Sequence, residues 1–244
     1  MSNIDRLTLE RRVRVAARAL ARHGLVQAWG HCSARIDGES FLVCASKPMG
    51  TIGRDEPGTV VRVNAPLPQG VLGEVRIHQQ IYRLRPDVGG VCRIMPPHLV
   101  ALSTLRVVPK PRHGVGAFNA NCRFWDDPRL LRDDALAAQL ADRLGDAPSL
   151  VMRANGAVTV GPSIELAAGF AWCLEDAARI ETLVRSVASD ASVEAACLTG
   201  GEIASRQVSS GAVFERLWEY LTAGDTEAKA NEGGFPDPVW GTAS

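Results

Sequence analysis

Residues 151–180, VMRANGAVTVGPSIELAAGFAWCLEDAARI, join two kinds of element across one short break. Residues 149–152 and 157–160 are short apolar runs, and Asn155-Gly156 between them tolerates a tight reversal, so they predict paired strands. Ser163 then offers a side-chain acceptor ahead of an apolar stretch, and Glu165 places negative charge in the first turn. A long helix over residues 164–188 is the expectation.

The same reading extends outward. Upstream, VGGVCRIMPPH (residues 88–98) predicts a strand over 88–95 that stops at Pro96-Pro97. Such a stop delivers Arg93 and Met95 to a sheet edge, with His98 just beyond. Helices are predicted over 5–23, 73–84, 98–104, 133–144 and 211–222, the first closed by His23-Gly24 and the second broken at Arg85-Pro86-Asp87. Strands are predicted over 33–36 and 40–44, joined at Asp37-Gly38, and over 60–63, with further short strands and turns across 105–125. Strands and helices mix without a regular βαβ beat, and no repeat or linker interrupts them. One α/β domain spanning 1–244 is expected, with a core over about 5–222, an irregular tail over 223–244 and much antiparallel pairing.

Composition narrows the partners. Twenty-seven Lys and Arg balance 27 Asp and Glu, which gives no excess basic surface for nucleic acid or an anionic membrane. No apolar run reaches the ~18–20 residues that span a bilayer, and the charged N-terminus has no signal-peptide pattern, so the cytoplasm is the expected location. No glycine-rich phosphate fingerprint lies between a strand and a helix. The six cysteines, at 32, 44, 92, 122, 173 and 197, form no C-x-x-C pair and read as reduced thiols. Cys92 stands apart because neighbouring Arg93 would favour its thiolate.

Four segments in order carry a family resemblance: GHCSAR at 30–35, EVRIH at 74–78 running into QIYRLRPDV, PPHLVALS from Pro96, and the 151–180 run. Together they resemble the class II aldolase/adducin family, typified by fuculose-phosphate aldolase, over roughly residues 5–185. The resemblance implies a three-layer α/β/α fold on a mainly antiparallel central sheet. It also implies a homo-oligomer, usually a tetramer, with active sites at subunit borders.

Active metal enzymes of that family hold a divalent ion, usually zinc, on three histidines. The matching positions here are Arg93, Met95 and Asn155. A guanidinium has no lone pair to give, a thioether is a poor zinc ligand, and an amide oxygen is weak where imidazole stood. No metal and no cofactor are therefore expected. Glu74 matches the family's acid/base carboxylate; without that match it is a glutamate favourably placed at a helix start. Arg93 has two readings: its fixed charge replaces the metal and grips a carboxylate or enolate, or it pairs with Glu74 and plugs a retired cavity.

His31 and Ser33, in a G-H-x-S-x-R version of the family's loop, and Ser46 and Lys47 in the next are expected to bind substrate, as are His98 and Asn155. His31 replaces a phosphate-loop Asn, Ser46-Lys47-Pro48 replaces a Thr-Gly turn, and Leu72-Gly73 replaces a serine pair. These departures argue against a phosphorylated sugar and for a small organic or phenolic acid. The bland alternatives are a wall role for His98, a solvated loop position for Lys47 rather than a Schiff base, and an orienting role for His78 toward Glu74.

The function expected is a metal-independent lyase that cleaves or forms a C–C bond, by decarboxylation or retro-aldol cleavage. Its substrate would be small, carboxylated and non-phosphorylated, with Glu74 moving the proton and Arg93 holding negative charge. The alternatives are an adducin-like assembly domain without activity, or a pocket that uses Cys92 or His98 instead.

Overall fold

Asp37 and Gly38 turn the chain between β1 (His31–Arg35) and β2 (Ser40–Val43) in the computed structural model, which describes residues 5–229 and Phe235. The Asp37 carboxylate accepts from the Glu39 backbone N–H and the Ser40 hydroxyl, fixing the reversal. With β3 (Thr59–Arg62), β4 (Gly90–Ile94), β5 (Arg123–Trp125), β6 (Ser149–Met152) and β7 (Ala157–Gly161), these strands form one sheet in the order β3-β2-β1-β4-β7-β6-β5. Every neighbouring pair is antiparallel except β5 and β6.

Five helices are α1 (Arg6–Arg22), α2 (Arg76–Leu84), α3 (Pro97–Thr104), α4 (Asp134–Leu144) and α5 (Ile164–Val187). Strand alternation sends Cys32, Ala34, Cys92 and Ile94 to one sheet face, where they pack with Val13 and Leu20 of α1 and Ile164 and Leu174 of α5. Val91, Val158 and Val160 point the other way, onto Ile77 and Ile81 of α2 and Leu140 and Leu144 of α4. The expected three-layer α/β/α arrangement results. Each fully buried Leu, Ile or Phe contributes about 1.5–3 kcal/mol, so both cores oppose a one-residue slip that would exchange the two faces.

Capping sets several helix starts. Ser163 Oγ accepts from the Leu166 N–H and Asp133 from the N–H groups of Ala135 and Leu136, while α5 is further held by the buried pair of Glu165 with Arg12. The helix expected from residue 73 begins later: Gly73–Val75 is a 3-10 turn, and Glu74 sits in it ahead of α2.

Between 105 and 125 only β5 is a strand, against the several expected. Pro109 and Pro111 lack ladder donors, and 114–119 instead winds into a 3-10 turn that sets Phe118 against Phe214. Beyond α5 lie α6 (Asp190–Ala195), α7 (Gly200–Arg206) and α8 (Val213–Thr222). No described helix is long and apolar enough to cross a membrane.

The tail expected over 223–244 lies mostly outside the described residues, including its Pro-rich PDPVW segment. Its first part is tied to α1: Asp225 pairs with Arg18 at 2.7 Å and Glu227 with Arg14 at 2.7 Å. Arg14, Arg18 and Arg22, spaced four apart on one helix face, gather those carboxylates.

Candidate active site

One end of the sheet opens into a cavity of about 540 Å³. Six sequence-predicted residues line it: His31, Ser46, Lys47, Glu74, Arg93 and Asn155. Two glycines permit the approach. Gly30, at φ +140°, lets β1 start where an added Cβ would meet the Val26 side chain at 2.6 Å and the Arg93 carbonyl at 2.9 Å. Gly156, at φ +74°, lies where a Cβ would stand 2.0 Å from the Ile94 carbonyl oxygen, which brings Asn155 against the end of β4.

Arg93 is 2% exposed. Its Nη1 donates to the Ile94 carbonyl at 2.7 Å and its Nη2 to Asn155 Oδ1 at 2.8 Å, with Glu74 Oε2 3.4 Å from Nη2. Its Nε has no partner among the described residues. Burial lowers the Arg93 pKa, and the Glu74 carboxylate pushes it back up. The other Glu74 oxygen accepts from the Leu131 N–H at 3.2 Å, which holds residues 130–132 over the cavity. The Arg93–Glu74 contact is thus single-pointed beside open space, not a two-pronged pair filling it.

The family's dication does not fit these residues. At the position that the resemblance gives the ion, a guanidinium stands instead, bonded to Asn155 Oδ1 with the Glu74 carboxylate 3.4 Å away. Among the described residues no three His, Cys, Asp or Glu side chains gather as a metal-ligand group.

His31 and Ser33 belong to a buried chain. His31 Nδ1 lies 2.9 Å from His78 Nε2, His78 Nδ1 lies 2.6 Å from Ser33 Oγ, and Ser33 Oγ lies 2.9 Å from the Tyr82 hydroxyl. Burial, aided by the Arg93 charge, lowers the His78 pKa to about 3 and holds His31 well below its usual value, so both rings are neutral. Ser33 is therefore an inner support and does not line the cavity. His78 joins His31 and Ser33 and makes no hydrogen bond to Glu74, contrary to the orienting role expected from helical spacing.

His98 is elsewhere. Its Nδ1 lies 2.7 Å from Glu175, whose carboxylate also accepts the His98 and Leu99 backbone N–H groups at the start of α3, and it lines a separate small cavity with His23 and Trp172. Cys92 faces the opposite sheet face, where burial pushes its thiol up and away from the thiolate. Lys47 stands part-exposed at the cavity mouth and pairs with Glu56 at 3.2 Å, which fits a solvated cation and not a desolvated Schiff-base lysine.

Sequence reasoning missed Trp29, Leu130 and Arg132 on the cavity wall. Trp29 precedes the GHCSAR segment and carried no motif; Leu130 and Arg132 come from a loop with no local pattern. A second cleft of about 660 Å³ lies between α1 and residues 54–57, but its charges are largely committed, as in Arg6–Glu10 and Arg14–Glu227.

Comparison with known proteins bears on the family and the fold. The family described as Class II Aldolase and Adducin N-terminal domain matches residues 11–182. A 3,4-dihydroxyphthalate decarboxylase of Arthrobacter keyseri is 28% identical over 175 residues, covering 64% of this chain and 70% of that protein. One of the same name from Rhodococcus jostii (strain RHA1) is 25% identical over 189 residues, covering 70% and 78%. The crystal structure of an aldolase II superfamily protein from Pseudomonas syringae superposes with a TM-score of 0.72 at 23% identity, covering 89% of this chain and 92% of that one, a likeness of fold.

Proposed function

The chain belongs to the class II aldolase and adducin family, and from that premise we propose that it is a decarboxylase-type lyase for a small, non-phosphorylated aromatic acid. The observation that carries this reading is the unclosed Arg93–Glu74 contact. A retired site would be expected to seal its buried charges against each other, whereas here a 3.4 Å single-point contact faces a cavity of about 540 Å³.

The lining suits an anion with a ring. Arg93, Lys47 and Arg132 supply positive charge against one carboxylate, Glu74, while Trp29, Leu72, Met95 and Leu130 supply apolar wall. A dihydroxylated benzene dicarboxylate, the substrate class named for the relatives, matches both features. Those relatives also favour decarboxylation over retro-aldol cleavage.

In the reaction the ring carbon bearing the leaving carboxylate gains a proton, and its bond to that carboxylate breaks to release carbon dioxide. The bonding pair stays with the ring and flows toward the neighbouring oxygen. Glu74 first takes the proton of the neighbouring phenol and then returns it to that carbon, and Arg93 takes up negative charge in place of the family's metal. Asn155 and the Ile94 carbonyl fix the guanidinium plane; Lys47 and Arg132 hold a second carboxylate near the mouth.

Exposed Trp29 and Leu130 at the rim, 67% and 53% accessible, suit a homotetramer with sites at subunit borders. The test is incubation with 3,4-dihydroxyphthalate. Release of one carbon dioxide per 3,4-dihydroxybenzoate formed is expected; no release from this acid or from related hydroxybenzoic acids would overturn the reading.

A further inference from the structure

Three buried nitrogen atoms, on residues that line the cavity, have no hydrogen-bond partner among the described residues: His31 Nε2, Arg93 Nε and Asn155 Nδ2. Leaving a buried N–H unpaired is costly, so three on adjoining residues make a place that an acceptor atom would complete. They belong to contiguous residues. His31 and Arg93 stand directly opposite in the β1–β4 register, and Arg93 is bonded to Asn155.

The polarity of each group can be worked out. A guanidinium only donates, so the Asn155 atom facing Arg93 Nη2 is the amide oxygen, and the atom left over is the NH₂ donor. His31 is settled from the far end of its chain. Tyr82 is 2% exposed, and its hydroxyl meets Ser33 Oγ alone among the described residues. Its proton must therefore go to Ser33, whose own proton goes to His78 Nδ1. His78 then carries its proton on Nε2 and gives it to His31 Nδ1, leaving His31 protonated at Nε2. The reverse direction would strand the Tyr82 proton in the core. Burial keeps Tyr82 protonated and both histidines neutral, so no member of the chain ionises.

All three orphan groups are thus N–H donors, with no competing acceptor among them. We propose that His31 Nε2–H, Asn155 Nδ2–H and Arg93 Nε–H form a preorganised oxyanion site for a phenolate or enolate oxygen conjugated to the scissile bond. The proposal rests on the decarboxylase reading. As the C–C bond to the carboxylate breaks, its electron pair passes to that oxygen and carbon dioxide departs; the carbon's proton comes from Glu74. Donors that meet charge as it forms lower the barrier more than they tighten ground-state binding. Tyr82 is a positioning residue: it touches no substrate and acts by fixing which His31 nitrogen carries the proton.

The test combines imidazole ¹⁵N NMR of the full chain with two variants. Free protein near neutral pH should show His31 protonated at Nε2 and bare at Nδ1, and adding 3,4-dihydroxybenzoate should shift the His31 and Asn155 side-chain N–H signals. Asn155→Asp keeps an oxygen for Arg93 but replaces the free donor with an acceptor, and should lower kcat on the order of 10²–10³ with little change in KM. Tyr82→Phe should leave His31 as a mixture of tautomers and lower kcat at similar KM. A His31 protonated at Nδ1 or doubly protonated, no probe-induced shift, or wild-type kcat in Asn155→Asp would each overturn the site. If no carbon dioxide is released by the wild type, the decarboxylase reading fails separately, while the tautomer and the probe titration still decide the donor set.

Discussion

Replacing Arg93 by Met removes the buried charge while keeping an unbranched side chain. The variant leaves the Ile94 carbonyl and Asn155 Oδ1 without their donors at 2.7 and 2.8 Å. Each unpaired buried acceptor costs about 1–3 kcal/mol. Against this, the chain no longer buries a guanidinium that is 2% exposed, although Glu74 beside the cavity then loses its cation, so the offset is only partial. Stability should therefore fall by about 2–4 kcal/mol, roughly 4–16 °C in Tm for a chain of this size. Activity has no such offset. Losing a preorganised charge should lower kcat/KM on the order of 10²–10³, equivalent to about 2.7–4 kcal/mol of transition-state stabilisation. Carbon dioxide release from 3,4-dihydroxyphthalate and a thermal melt measure both quantities on one preparation. Arg93→Lys, which keeps charge but loses the planar fork, should fall between the wild type and Arg93→Met. Activity within tenfold of wild type in a folded Arg93→Met protein would refute the charge-replacement argument.

Three further outcomes are expected. Glu74→Gln retains an oxygen for the Leu131 N–H and should keep substrate affinity while kcat drops on the order of 10²–10⁴, as steady-state kinetics would show; an unchanged kcat would remove Glu74 from proton transfer. Arg132→Ala should raise KM about tenfold for the dicarboxylate yet leave binding of 2,3-dihydroxybenzoate, which lacks the second carboxylate, unaffected. Acid should destabilise the fold early. His31 and His78 are held neutral in the folded protein, His78 with a pKa of about 3, whereas unfolded histidines gain protons near pH 6.5, so their contribution is present above that pH and is lost as pH falls. Each contributes a loss of about 1.4 kcal/mol per pH unit within this window. A urea midpoint that stays flat from pH 7 to pH 5 would contradict the buried neutral chain.

The parts of this site legible in the sequence were those with a local chemical cause. Pro96-Pro97 ends β4 and marks Arg93, Asn155-Gly156 marks the β6–β7 turn, and both sit where the pattern put them. Ser33 lies in the core and not in the binding loop that the sequence predicts, because β1 starts at His31 and its alternation turns His31, Ser33 and Arg35 toward α2, where His78 and Tyr82 bond Ser33. Nothing in one sequence reports which helix will cover a strand face. His98 looked like part of the site through its nearness in sequence to Arg93, but the double proline carries it away to Glu175. Arg132 was invisible because its loop is brought over the cavity by long-range contacts, the Leu131 N–H to Glu74 bond and the burial of Leu131 among side chains of α2 and α4. Of the elements overlooked between 189 and 206, α7 had a readable start in Thr199 and Glu202, which form a capping box, but no buried face to give it a hydrophobic period.

The central claim is that a guanidinium fills the seat of the family's metal and that catalysis runs on protein charges. Elemental analysis of the purified protein, with the decarboxylation rate measured before and after exhaustive chelation, tests it most directly. The account predicts substoichiometric metal and an unchanged rate. One zinc, manganese or iron per chain, with activity lost on chelation and restored by the ion, would contradict it.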